Sequence, residues 1–437
     1  MRNSVRGEAM RASSVKAVPF SPTKISVRDF GPIREASVDL KKVTILMGPN
    51  NTGKTYFTLL VPVLEQLARE WRFAQDIISP PKYTLEDFIQ YHLAKVFDDV
   101  VCRLYSVDRP EELIRRGSER AELRFELRPE EENSYALELE IQIKKTGVIN
   151  SRFHGFRGLF EANKVPEIKP VVYIPAERAG MMRALRQLLR FFVATIYLGS
   201  HERKAIQLIG KMARLPGASR LFLNKILDME KFTKKEREKT HVAPALDLLE
   251  REVLGGRLEM GRDFSVTFYE TGAERPIDLI NASSMVSELS AIYLLSGTLR
   301  EGWWMVVEEP EAHIHPKGQA MIARFMAKLA RLGVNVMVTT HSDILALKLA
   351  QMVGLTGLSP EERERLGYRG DEYLTKEELA LYSFEPTEDG SVARKVEVSH
   401  TGEVSELPTY SNVLEEMYHE AVRLLELHGK IPKVSEG

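Results

Sequence analysis

Apolar and polar positions along the chain switch repeatedly between a period of two and a helical period, and the switches outline its elements. Lys24 to Phe30 and Ala36 to Leu40 alternate around Gly31-Pro32, which predicts two strands joined by a turn. Val43-Thr44-Ile45-Leu46-Met47 is a short, β-branched apolar run, the pattern of a parallel strand buried on both faces. From Tyr56 to Glu70 the spacing becomes helical, with Pro62 the one proline. Residues 83–106 predict a second helix. Ala121 to Leu127 and Tyr135 to Ile143 predict a hairpin across the acidic turn Pro129 to Asn133. Val171-Val172-Tyr173-Ile174, ended by Pro175, is another short buried strand. Met181 to about Leu254 is helical and rich in Arg, Lys and Leu, an inserted lobe. Strand patterns return at Asp263 to Tyr269, Trp303 to Val307 and Val334 to Thr339, the last after a helix over roughly Lys317 to Leu332. A hairpin (Leu381 to Val398) and a helix (Tyr410 to Leu427) follow. Strand, helix, strand with apolar runs predicts an α/β fold around a parallel sheet.

Composition narrows this only a little. A chain of 437 residues is long for one ordinary domain and has ample core. Net charge is -1, so any nucleic-acid surface must be local. One cysteine, Cys102, leaves no internal disulfide framework and no cysteine-built metal site. No apolar run reaches about 18 residues, so no membrane span is predicted. Residues 1–22 lack the apolar centre of a secretory signal and read as a disordered tail, with Met1 and Met10 both standing as start points. A reducing, cytoplasmic setting is the expectation.

Candidate chemistry begins at Gly48-Pro49-Asn50-Asn51-Thr52-Gly53-Lys54-Thr55, which fits the phosphate-binding P-loop pattern G-x-x-x-x-G-K-S/T, followed by Tyr56. Gly48 and Gly53 let the backbone curl so that N–H groups face phosphate oxygens at a helix start. Lys54 would neutralise the β- and γ-phosphates of ATP, and Thr55 would offer its hydroxyl to Mg²⁺. The strand Trp303 to Val307 runs into Glu308-Glu309-Pro310-Glu311, the Walker B arrangement. Glu308 is expected to support the metal and Glu309 to act as general base toward the attacking water. His313 and His315 have no third ligand at a plausible spacing, so they read as loop residues near a subunit contact. His341, at the tip of the strand that ends in Thr339-Thr340, can reach and sense a γ-phosphate. Ser283 and Ser284 open a helix running to about Leu299, where they can cap it or leave its N–H groups to an anion.

In this order the motifs resemble the ABC-type ATPases of the RecF, SMC and OLD (overcoming lysogenization defect) group. The chain is most similar to its AAA-labelled prokaryotic proteins with a G-P-N-N-x-G-K-T loop and an E-E-P-E-A-H-x-H-P Walker B. The resemblance spans about residues 24–62, 171–180 and 265–345. It implies a P-loop NTPase head of ABC-ATPase type with a mixed sheet, an antiparallel β subdomain and an inserted helical lobe. The expected parts are residues 23–180 and 263–350 as the two portions of the head, 181–262 as the helical lobe, and 351–437 as a C-terminal hairpin and helix. It also implies an ATP-dependent homodimer, with Ser283 and Ser284 as γ-phosphate ligands of the other copy's nucleotide. His341 becomes the switch histidine, Glu309 the catalytic carboxylate, and Glu177 and Arg178 fall at the Q-loop position. Met285 replaces the signature glycine and Glu308 the usual aspartate, departures that argue for slow, switch-like hydrolysis.

What such an ATPase controls is less legible. Arg183, Arg186 and Arg190 fall at i, i+3, i+7 and share one helix face. That stripe could meet DNA phosphates, face solvent or dock an acidic partner. No D-x-D cluster follows His341, so no intrinsic nuclease is expected, and sustained coiled-coil heptads are missing. Two readings stand: a switch in DNA maintenance or anti-phage defence with a separately encoded nuclease or effector, or a non-DNA regulatory switch on a protein partner, as in toxin–antitoxin-like modules.

Overall fold

The structure, a computed structural model, describes residues 16–77, 85–130, 136–147, 149–155, 164–197, 215–405 and 408–427. Its strands are β1 (Lys16–Phe30), β2 (Ile33–Asp39), β3 (Val43–Met47), β4 (Arg120–Pro129), β5 (Leu137–Lys144), β6 (Ile149–His154), β7 (Lys164–Ile168) and β8 (Val171–Ile174). They continue with β9 (Gly256–Met260), β10 (Val266–Glu270), β11 (Ile277–Asp278), β12 (Trp304–Glu308), β13 (Asn335–Thr340), β14 (Leu379–Thr387) and β15 (Gly390–Val396). Twelve of them form one sheet in the order β6-β5-β4-β1-β2-β15-β14-β3-β13-β12-β8, with β7 paired to β1. Strands β9, β10 and β11 make a separate small sheet.

The large sheet has two regimes. From β14 to β8 every neighbour is parallel, and β3, β12 and β13 are buried at every position. From β6 to β2 successive strands are antiparallel, with β7 added parallel to β1, and β4 and β5 alternate buried and more solvent-facing residues. Their sequences say as much, because a strand covered on both faces needs a continuous apolar run and a half-covered one does not. Val43, Ile45, Met305, Val307, Val336 and Val338 point into one apolar cluster, and Leu46, Trp304, Val306 and Met337 into the other. Period-two geometry divides each strand between the two layers.

Several expected elements shift. Residues 16–22 of the expected tail form the first half of β1, paired to β4 and β7; apolar Val18 and Phe20 are buried there. Residues 1–15 lie outside the described part. The single helix expected after the P-loop divides into Lys54–Thr58 and Leu60–Ile77, because Pro62 has no N–H to close on Thr58. The helical stretch starts at Arg178 (Arg178–Tyr197) and resumes with Gly217–Leu227, Lys234–Glu238 and Ala243–Leu249. Phe222, Ile226, Leu246 and Leu249 from it join the same apolar cluster as Val43 and Val338.

The C-terminal hairpin enters the centre of the sheet. Strand β14 lies parallel to β3, pairing Leu379 with Val43 and Ser383 with Met47, and β15 continues to β2. It thereby joins the parallel and antiparallel halves. Gly48 takes φ 136°, and a Cβ there would lie 2.3 Å from the Phe384 carbonyl oxygen of β14. Gly48→Ala should therefore destabilise the fold by about 2 kcal/mol or more, through overpacking against backbone and a disallowed φ. Gly180→Ala, in open space on a helix, should be neutral or slightly stabilising. Thermal melts of the two variants check this, and equal melting temperatures would contradict it.

Candidate nucleotide site

The P-loop runs from the end of β3 to the helix Lys54–Thr58 and is held by neighbours far away in sequence. Thr52 Oγ1 donates to the Pro49 carbonyl at 2.9 Å, and Ser391 Oγ of β15 donates to the Thr52 carbonyl at 2.6 Å. Gly53 adopts φ 89°, and a Cβ on it would sit 2.5 Å from Ile33 Cγ1. Asn51 is left-handed at φ 64°, a conformation its side chain tolerates better than most. Pro49, Asn50, Asn51, Thr55 and Tyr56 are exposed, while Thr52, Gly53 and Lys54 are buried. Tyr56 leans on Tyr105 and Phe30, and the Tyr105 hydroxyl donates to the Tyr56 carbonyl at 2.7 Å.

Lys54 Nζ donates to the carbonyls of Gly48 and Pro49, each at 2.7 Å. The loop thus curls around its own ammonium group. Burial pulls this amine down to about 8, with the charges of Glu309, Glu311 and Glu308 opposing. The charge of a bound phosphate would offset the hydration that burial removes from the ammonium group.

Strand β12 brings Glu308 and Glu309 to the same edge, because β13 separates β12 from β3 and all three run parallel. Glu308 is buried; Tyr173 donates its hydroxyl to Oε1 at 2.7 Å and the Ala176 N–H donates to Oε2 at 3.2 Å. Burial pushes its carboxyl above the usual range, against these bonds and the Thr55 hydroxyl. A buried carboxylate beside a P-loop threonine hydroxyl is an all-oxygen donor pair suited to a hard divalent cation. Magnesium therefore fits at Thr55 and Glu308. Tyr173, placed by the sequence only within a strand, also lies 3.2 Å from Thr58 Oγ1, so it ties the P-loop helix to Glu308 at the end of β12.

Glu309 has different surroundings. It takes a left-handed φ of 44°, a conformation that costs about 1–3 kcal/mol and persists only where neighbours impose it. Its N–H donates to the Thr339 carbonyl at 2.9 Å, and its carbonyl accepts from Ala312 N at 3.1 Å and Arg178 Nη2 at 2.9 Å. The side chain is partly exposed and lies 3.5 Å from His341 Nε2. A hydrogen bond from His341 holds the Glu309 carboxyl below the usual carboxylate range, leaving it ionised and able to accept a proton. Glu311, unassigned from sequence, fixes His341 in turn. Its Oε1 accepts from Thr340 Oγ1 at 2.6 Å and from the His341 N–H at 2.7 Å.

Ser283 caps the helix Ser284–Ser296, accepting from Val286 N at 3.3 Å, and both serines are exposed. Met285 is half-buried and packs against the apolar cluster. Among the described residues no hydrogen bond joins Ser283 or Ser284 to the P-loop of the same chain. His313 contacts Glu288 at 3.1 Å, and His315 caps the helix Pro316–Arg331.

Two expectations need correction. Glu177 is exposed near Glu308, but Arg178 is fully buried and bonded to protein carbonyls, so its guanidinium is not presented to a nucleotide as a Q-loop side chain would be. The basic stripe is not a free phosphate-binding face either. Arg183 donates to Ser287 Oγ at 2.8 Å and to the Ala282 carbonyl at 3.0 Å, and Arg186 pairs with Asp263 at 3.1 Å. Helical spacing says which residues share a face, not what packs on it. The Arg190 side chain lies outside the described residues.

Fold and site together define a P-loop nucleotide-binding ATPase domain of ABC-like architecture. Residues 43–347 match the family model described as "AAA domain, putative AbiEii toxin, Type IV TA system", and the chain belongs to that family. No curated protein matches the sequence. Among solved structures it is similar to the SMC head domain from Thermotoga maritima (11% identity, 86% of this chain and 99% of that one, TM-score 0.42). It is also similar to the Smc head with an extended coiled coil bound to the C-terminal domain of ScpA from Pyrococcus furiosus (11%, 91% and 100%, TM-score 0.45). A third is the Smc head with a coiled coil and joint from Pyrococcus yayanosii (9%, 91% and 100%, TM-score 0.47). No helix among the described residues is long and apolar enough to cross a membrane.

The Lys54 environment sets a pH signature. Above pH about 8 the nucleotide-free lysine loses its proton, whereas bound phosphate favours the charged form. Nucleotide affinity should therefore weaken as pH rises past 8, and binding at pH 8.5 should take up protons. For the folded protein alone the sign is opposite: its lysine deprotonates before the unfolded one, so this group's contribution to stability rises between about 8 and 10.5. Calorimetric titration in two buffers of different ionisation enthalpy measures the uptake, and a buffer-independent enthalpy would exclude this role.

Proposed function

We propose that the chain is an ATPase whose two copies close around ATP and act as a slow switch. The observation that carries this reading is the division of the site. Lys54, Glu308, Glu309 and His341 converge at the strand ends, while Ser283 and Ser284 form the exposed start of an otherwise buried helix, with no hydrogen bond to that P-loop among the described residues. The serines are then free to meet the γ-phosphate held by a second copy. Lys54 and the loop N–H groups bind the phosphates, and exchange of Lys54 from the Gly48 and Pro49 carbonyls to phosphate oxygen accompanies binding. Glu309 accepts the proton of the attacking water, with His341 beside it contacting the γ-phosphate. When bound at Thr55 and Glu308, Mg²⁺ supplies charge neutralisation for the phosphates. Met285 and the longer Glu308 argue for turnover well below tens per second.

The output we favour is DNA maintenance or anti-phage defence, exerted through a separately encoded effector, as the resemblance of the motifs to the OLD group suggests. The internal bonds of Arg183 and Arg186 support a second reading, in which closure presents a surface to a protein partner. Salt-sensitive duplex DNA binding that changes turnover selects the first; neither effect, with one co-purifying protein, selects the second. The core model is tested by Glu309→Gln. It should lower turnover about a hundredfold or more and accumulate as a dimer in ATP and Mg²⁺. A variant that remains monomeric by light scattering under those conditions would sink the composite site.

A further inference from the structure

One buried cation joins three segments of the site. The Arg178 side chain has no exposure to solvent. Nη1 donates to the Glu308 carbonyl at 2.7 Å and the Pro175 carbonyl at 3.3 Å, and Nη2 donates to the Glu309 carbonyl at 2.9 Å. Nε donates to the Glu288 carbonyl at 3.1 Å and lies 3.3 Å from Glu288 Oε2. Glu288 sits on the second turn of the helix that Ser283 caps, and its other oxygen meets His313 Nδ1 at 3.1 Å. His313 is left-handed at φ 57° and lies four residues beyond Glu309. The helix that starts at Ser283 is thus tied to the Walker B turn twice, through Arg178 and through His313.

A planar guanidinium offers five donors in a fixed fork, so displacing one partner displaces the others. Here the partners are the helix backbone at Glu288 and the backbone of the left-handed Glu309. Glu288 Oε2 is buried and has the guanidinium as an ion-pair partner but no hydrogen bond, so the carbonyls bonded to the Arg178 fork carry the tether between the segments. We propose that Arg178 is a positioning residue: with Glu288 it transmits the seating of the Ser284–Ser296 helix to the backbone of Glu309. Contact of Ser283 and Ser284 with the other copy's nucleotide then sets the aim of the catalytic carboxylate in their own copy. This rests on the composite-site reading above and adds a direction to it: each copy's hydrolysis is licensed by what its own serine-capped helix has met.

The test uses the full chain and three variants: Arg178→Lys, Glu288→Gln and the double variant. Glu288→Gln keeps size and both backbone contacts, so it carries the test if the arginine change prevents folding. Expected for each single variant are a fall in kcat of about tenfold or more with the affinity for a fluorescent ATP analogue within about threefold. The double variant should fall no further than the worse single one, since two members of one unit are not additive. Loss of nucleotide affinity in step with kcat, unchanged kcat, or additive losses would each overturn the role. A readout that needs no turnover is hydrogen exchange at the Ala312 and Ile314 amides, which bond to the carbonyls of Glu309 and Glu311. They should exchange faster in Glu288→Gln, and unchanged exchange there overturns the proposal. A wild-type chain without ATPase activity overturns the functional reading instead, while leaving the exchange result to judge the tether.

Discussion

The site depends on one arrangement of backbone hydrogen bonds, the parallel pairing of β3 between β13 and β14. Parallel strands end at the same edge, so this pairing, together with that of β12 on the far side of β13, brings Gly48, His341, Glu308 and Glu309 to one place. It also brings the Phe384 carbonyl against Gly48, where a side chain has no room. A residue without a Cβ is therefore required at the first P-loop position even before phosphate is considered. Cover on both faces explains why β3, β12 and β13 are buried throughout and mainly apolar, with Glu308, Thr339 and Thr340 confined to the strand ends.

At that edge three carboxylates meet two buried cations, and the surroundings give them separate tasks. Glu308 is buried without a hydrogen-bonded cation and is held by a tyrosine hydroxyl and a backbone N–H. Glu309 stays ionised beside His341, and Glu311 fastens the strand tip that carries that histidine. Lys54 is held by carbonyls that phosphate can replace, whereas Arg178 is held by carbonyls that belong to the core of the site. The difference follows from their chemistry. An ammonium on a flexible stem can change partners, and a buried guanidinium fork holds several at once.

The P-loop, Glu308, Glu309 and His341 were legible because each motif is local. A strand, its terminal residues and the following turn are consecutive, and their spacing carries the chemistry. Ser283 was legible as a cap for the same reason. Arg178 read as a stand-in for a loop glutamine because nothing local shows that it is buried. Tyr173 and Glu311 were passed over, since their partners lie 115 and 135 residues away for Tyr173 and about 30 for Glu311. The arginine stripe left DNA, solvent and an acidic partner all open, because helical periodicity cannot say that Ser287 and Asp263 will stand opposite it.

The sequence by itself determined the two kinds of sheet, the strand–loop–helix of the P-loop and the acids at the end of a second core strand, β12. These follow from periodicity and from side chains whose chemistry is set within a few residues. Tertiary structure alone decided that the C-terminal hairpin would enter the sheet beside the P-loop strand, that Met285 would pack against the apolar cluster, and that a buried arginine would join the Ser284–Ser296 helix to the turn after β12. Each of those depends on which distant surfaces meet, and the free energy of packing is a property of both surfaces rather than of either segment.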